Sequence, residues 1–102
     1  MTGNGALTLA EALKAVIDPE LGYNIVDIGL VYDAEIADGK ARVLLTTTTP
    51  GCPATEYIRR AVETCAAAQP GVDAVEVTMT WSPPWSPDLM SDAAKAHFRV
   101  RS

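Results

Sequence analysis

Histidine occurs once, cysteine twice, and lysine plus arginine together only eight times in 102 residues. Two cysteines, Cys52 and Cys65, cannot form the dense framework of a small secreted disulfide domain, and both are expected as free thiols. A single histidine, His97, rules out the His-rich ligand spacings of zinc sites and leaves a Cys52–His97 pair as the only arrangement from which a thiol enzyme could be built. Eight basic residues against 13 acidic ones give a formal charge of -5 and a pI near 4.6. That balance opposes the phosphate neutralisation on which nucleic-acid binding depends, and it disfavours anionic membrane surfaces. No run reaches the roughly 18 apolar residues of a membrane span. The opening MTGNGALTLAEAL has no basic residue before Lys14 and no apolar signal-peptide core, so the cytoplasm is the expected compartment. No phosphate-cradling glycine loop or pair of catalytic carboxylates is visible, and an enzyme is not expected.

Apolar side chains make up 48% of the sequence, enough for one core and one domain over residues 1–102, with 1–7 expected to be flexible. Thr8-Leu9-Ala10-Glu11 has the form of a capping box, and Leu9, Leu13, Val16 and Ile17 form one apolar stripe, predicting a helix from Thr8 to Ile17 that Pro19 stops. From Leu30 to Ile36 the period changes to two, Asp38-Gly39 signals a hairpin, and Ala41, Val43 and Leu45 alternate inward toward a threonine run. Pro53 suits the first position of a second helix, which puts Cys52 at its N-cap. Ile58, Ala61, Val62, Cys65 and Ala66 make its inner stripe. Val75, Val77, Met79 and Trp81 alternate in a third strand, and a last helix is expected from about Ser86-Pro87 with Met90, Ala93, Ala94 and His97 inward. The order α-β-β-α-β-α predicts a compact two-layer α+β sandwich with helices on a small mixed sheet: a hairpin plus a right-handed parallel crossover.

Cys52 at a helix N-terminus would have its thiolate stabilised by free N–H groups and the helix dipole, with Ala54 and Thr55 presenting amides and Thr48 and Thr49 offering hydroxyls. Glu56 argues mildly the other way, because a carboxylate pointing back would raise the thiol pKa. The plainer alternative is that Cys52 fills a small site at a tight turn. Cys65, in register with the apolar stripe, reads as core. Thirteen helical residues would separate it from Cys52 by about 20 Å, too far for a disulfide or a shared mononuclear metal site.

The segment Asp18-Pro19-Glu20-Leu21-Gly22-Tyr23-Asn24-Ile25-Val26-Asp27-Ile28-Gly29-Leu30-Val31-Tyr32, followed by TTPGCP and a late PPW, resembles the MIP18 (DUF59) family over nearly the whole chain. The family includes SufT-like proteins and components of iron-sulfur protein maturation. Its PaaD-like branch carries C-terminal cysteines that are absent here. Asp18 and Glu20 match the family's acidic positions, Thr48 and Thr49 its hydroxyl pair, and Cys52 its cysteine before proline, which together would line one site. Taken alone, Asp18 before Pro19 reads as a turn; the resemblance favours the functional reading. Asn24 and Asp27 are expected to shape the loop from Gly22 to Gly29. Trp81 should be buried by alternation, and Trp85, if exposed, is the candidate partner contact.

The resemblance implies an accessory factor in iron-sulfur cluster assembly or delivery, with assembly or carrier proteins and client apoproteins as partners. Clusters are commonly held by four thiolates, so one well-placed cysteine cannot store one alone. A homodimer could bring two Cys52 thiolates to a labile cluster bridged between chains, with Cys52 a shared or transient metal ligand. The alternative is an interaction adaptor, with oxygenase maturation of the PaaD type as a variant, in which Cys52 is structural and the Trp85 region recruits partners.

Overall fold

The first helix begins and ends earlier than its sequence pattern suggests. The computed structural model describes residues 5–48, 51 and 53–99, so Thr49 and Cys52 lie outside the described residues. Helix α1 spans Gly5–Leu13, which places Thr8 inside the helix rather than at its cap and makes residues 5–7 helical. Bonds from Ala15 N–H to the Ala12 carbonyl and from Val16 N–H to the Leu13 carbonyl tighten the chain out of the helix. Ile17–Asp18 (β1) then pairs antiparallel with Tyr23–Asn24 (β2). The ladder explains the correction: Leu9, Leu13 and Val16 are buried as expected, whereas Ile17 turns outward and is 43% exposed.

Strands β3 (Val31–Ala37) and β4 (Lys40–Leu45) form the expected hairpin. Asp38 (φ 52) and Gly39 (φ 78) both have positive φ, the requirement of a type I′ turn, whose twist matches that of the strands it joins. Strand β5 (Ala74–Met79) pairs parallel with β4, so β4 is central in a mixed sheet of order β3-β4-β5. It stops short of Trp81, although Thr80 N–H still reaches the Leu45 carbonyl at 2.8 Å.

Helix α2 spans Thr55–Ala67, and its N-cap is Ala54, already in the α region and without a side-chain cap bond. The expected N-cap at Cys52 and first helical position at Pro53 are therefore corrected. The first helical bond, Ile58 N–H to the Ala54 carbonyl at 2.9 Å, starts two residues later than the proline suggests. Helix α3 (Asp92–Phe98) also starts late, because Pro87–Leu89 is a single 3-10 turn and Ser91 Oγ accepts from Ala94 N–H as the cap. Of its expected inner residues, Met90 and Ala94 are buried while Ala93 and His97 are exposed.

Helices α1 and α2 pack against each other and cover one face of the sheet. Val43, flanked by Ala34 and Val77, and Ala41, flanked by Ile36 and Val75, lie on that face, where Val43 and Ala41 share a core cluster with Leu9, Leu13, Ile58 and Val62. Full burial of such side chains stabilises by roughly 1.5–3 kcal/mol each. On the opposite face Arg42 lies between Glu35 and Glu76 at 3.8 and 3.9 Å, and Lys40 reaches Glu76 at 2.9 Å. These exposed pairs favour solvation more than stability. The α+β class, the two layers and the mixed sheet are as expected, with the short β1–β2 hairpin added.

Candidate functional site

The acidic pair sits on the β1–β2 turn. Asp18 is 2% exposed, and its Oδ1 accepts from the backbone N–H of Glu20 at 2.7 Å and of Leu21 at 3.3 Å, while its own carbonyl accepts from Gly22 N–H. A carboxylate so placed before proline makes the turn that its sequence position suggests, and it does so from inside the protein. Glu20, one residue beyond Pro19, is exposed. The loop that follows is closed by two bonds between Asn24 and Asp27, both 2.8 Å, as expected for structural residues. The Asn24 amide, aided by Ser91 and Lys14, holds the Asp27 carboxyl below the usual range against a smaller opposing effect of burial.

The threonine run leaves β4 in two halves. Thr46 and Thr47 are buried and Thr48 is half-buried at the start of the loop. Thr46 Oγ1 donates to the Thr47 carbonyl at 3.3 Å, and Trp81 Nε1 donates to Thr47 Oγ1 at 2.9 Å. At the other end of the loop, Thr55 Oγ1 in the first turn of α2 is buried without a hydrogen-bond partner among the described residues. Thr47 and Thr55 are polar groups near the loop that sequence patterns did not single out as site residues; a run of four threonines does not reveal which hydroxyls turn inward.

Glu56 does not point back along the helix. Its carboxylate grips the Arg59 guanidinium at 2.7 and 3.3 Å, a pairing that lowers the Glu56 pKa and raises that of Arg59. This removes the objection that Glu56 would repel a thiolate at the start of α2. Cys65 is a packing residue: its Sγ donates to the Ala12 carbonyl at 3.3 Å and burial pushes the thiol pKa up. It also lines a groove of about 600 Å³ that runs between Ile17 and the α2 residues Tyr57, Arg60 and Ala61. Ile17 of β1 lines this groove, and Asp18 does not. His97 packs against Tyr23 and Phe98 with ring centroids 4.8 and 4.7 Å away. Trp85 is half-buried rather than fully accessible, and its Nε1 donates to the Ile28 carbonyl at 2.7 Å. No cluster of three or more metal-ligating side chains occurs among the described residues.

A model of the iron-sulfur cluster assembly protein family matches residues 8–79, a span that includes Asp18, Glu20, Thr48, Thr49 and Cys52. The chain belongs to that family. Its resemblance to MIP18 (DUF59) proteins is thereby borne out, and relatives of the same family agree. The chain is 45% identical over 85 residues to the Fe-S protein maturation auxiliary factor YitW of Bacillus subtilis, covering 82% of this chain and 83% of that one. It is 47% identical over 81 residues to the Fe-S protein maturation auxiliary factor SufT of Staphylococcus aureus, covering 78% of this chain and 92% of the relative. Among solved structures, a DUF59 domain from Bacillus anthracis superposes with a TM-score of 0.87 at 40% identity, over 94% of this chain and 92% of that one. Among the described residues, no helix is long and apolar enough to cross a membrane.

Proposed function

We propose that this chain is an accessory factor in iron-sulfur cluster assembly or delivery, acting through Cys52 by transient contact with a cluster, a metal or a client thiol. The observation that carries the reading is the family match, which spans Asp18, Glu20, Thr48, Thr49 and Cys52 and joins the chain to relatives named as maturation auxiliary factors. The fold is consistent with it. Asp18 is buried on the β1–β2 turn, and Thr48 opens the loop that leads toward Cys52. The Glu56 carboxylate, which would oppose a thiolate there, is occupied by Arg59.

In this reading the whole chain is one domain, works in the cytoplasm and turns over no small-molecule substrate. The cluster is cargo rather than a resident cofactor, since one thiolate falls short of the usual four. A second copy of the chain, a carrier or the client supplies the remaining ligands. The partners are therefore assembly and carrier proteins and client apoproteins. Trp85, half-buried, contributes to their contact. Anaerobic incubation with ferrous iron and sulfide, then with an apo-ferredoxin, tests the role of Cys52. Wild type should speed the appearance of holo-ferredoxin absorption and Cys52→Ser should not. Equal rates from the two proteins would favour the adaptor, in which Cys52 is structural.

A further inference from the structure

We propose that the outer edge of β5 pairs with the same edge of a second copy of the chain, joining two three-stranded sheets across a two-fold axis at Val77. This contact goes beyond the role of Cys52 and does not depend on it. Among the described residues β5 ends the order β3-β4-β5, so it has a strand partner on one side only. Ala74 N–H donates to the Gly39 carbonyl at 3.2 Å and Thr80 N–H to the Leu45 carbonyl at 2.8 Å, which fixes the phase of the parallel ladder. Successive peptide groups of a strand point to opposite sides, so the N–H and C=O groups of Val75, Val77 and Met79 point away from β4. Strand β5 carries no proline, lysine or bulge, the devices that blunt such an edge. Its one charge, Glu76, is drawn back over β4 by Lys40 at 2.9 Å and Arg42 at 3.9 Å.

The other edge of the sheet is closed. Thr46 N–H donates to the Leu30 carbonyl, so the facing pairs of β3 and β4 leave the amides of Ala34 and Ile36 outward. The register shifts between Val31 and Asp33, and the Asp33 carboxylate accepts from Ala34 N–H at 3.0 Å. A bulge and a carboxylate seated on an edge amide both oppose strand addition. With one open edge per chain, pairing stops at two copies. The occupant is a second copy because β5 complements itself. In an antiparallel pair outward groups must face outward groups, so a two-fold axis passes through a residue rather than between two. Through Val77 it sets Val77 opposite its counterpart, Val75 opposite Met79 and Glu76 opposite Thr78 of the second copy. Through Glu76 it would oppose like charges, and nearer either end it would pair fewer residues of β5. In the Val77 register the half-buried Val75, Val77 and Met79 meet on the helix-covered face, and the exposed Glu76 and Thr78 meet on the open face.

The test is sedimentation equilibrium of the full chain from about 10 μM to about 1 mM, the affinity range of a small interface, with amide hydrogen exchange read at both ends. The chain should dimerise, and the amides of Val75, Val77 and Met79 should gain protection with concentration while those of Ala34 and Ile36 do not. Thr78→Lys and Thr78→Glu alter an exposed side chain, so both should fold. At low ionic strength the first should tighten the dimer and the second weaken it, each about fivefold, because every dimer holds the Glu76–Thr78 pair twice. Val77→Pro removes an N–H that no β4 carbonyl receives, and it should weaken association at least about tenfold. Should Val77→Pro fail to fold, the two Thr78 variants decide. A chain still monomeric at about 1 mM overturns the proposal, as does a dimer whose three edge amides gain no protection. So does a dimer whose Kd moves the same way in both Thr78 variants, or by less than about twofold. A monomer in which a client or carrier protein protects the same three amides also overturns it, in favour of a strand from that protein.

Discussion

Substituting Gly29 by alanine places a methyl group where the structure has backbone. Gly29 has φ +85, and a Cβ built there would lie 2.6 Å from the Leu89 carbonyl oxygen and 2.8 Å from both its carbon and its Cβ. Leu89 cannot retreat easily: its N–H is bonded to Ser86, Met90 N–H to Pro87 and Ser91 N–H to Asp27, while Trp85 anchors the same segment on Ile28. The left-handed conformation costs a non-glycine residue about 1–2 kcal/mol. Forcing a packed neighbour aside adds about 1–3 kcal/mol. A loss near 3 kcal/mol would lower the Tm of a domain of this size by roughly 12–24 °C. Gly22 is the matched control, with φ +70 and nothing within 4 Å of its built Cβ, so Gly22→Ala carries only the conformational part. Chemical and thermal unfolding of the two variants separates the effects. Equal losses would refute the claim that the close approach of Leu89, rather than backbone conformation alone, requires glycine at position 29.

Two further outcomes follow from the same geometry. Because the Asn24 hydrogen bond depresses the Asp27 pKa, the unfolded chain binds the proton first on acidification. The stability from this pair is present above the unfolded carboxylate pKa of about 3.9 and is lost as pH falls through the lower folded value. Urea titrations should therefore show wild type losing its advantage over Asn24→Ala as the pH is lowered through that window, and a pH-independent difference would contradict the assignment. Ile58→Ala, which truncates a fully buried side chain on α2, should cost about 2–5 kcal/mol in urea unfolding; a loss under about 1 kcal/mol would show the site to be far more pliant than its burial implies.

The hairpin at Asp38-Gly39 was legible because its signal is local: two residues suited to positive φ between alternating strands. The sheet order followed from the hairpin and from the length of the crossover. The end of α1 was not legible, because β1 and β2 are two residues each, too short for a period to register, yet their pairing turns Ile17 outward. The start of α2 was placed too early because Pro53 fits a first helical position, while the observed cap depends on the backbone of Ala54 and on no side-chain bond. Within the site, the Asp18 turn was readable from Asp-Pro, but its burial depends on how the hairpin docks. The bond from Trp81 to Thr47 spans 34 residues and leaves no local pattern. The exposure of Trp85 was left open, because it falls outside the strand alternation. The Ile28 carbonyl that accepts its N–H belongs to a loop whose path no periodicity describes.

The central claim is that Cys52 is the acting group in maturation of client proteins. It is tested most directly by complementing cells deleted for this chain with wild type or Cys52→Ser and measuring iron-sulfur client enzyme activity, with the two proteins matched for abundance and thermal stability. Wild type should restore client activity and Cys52→Ser should leave it near the level of the deletion. Full restoration by Cys52→Ser would contradict the account.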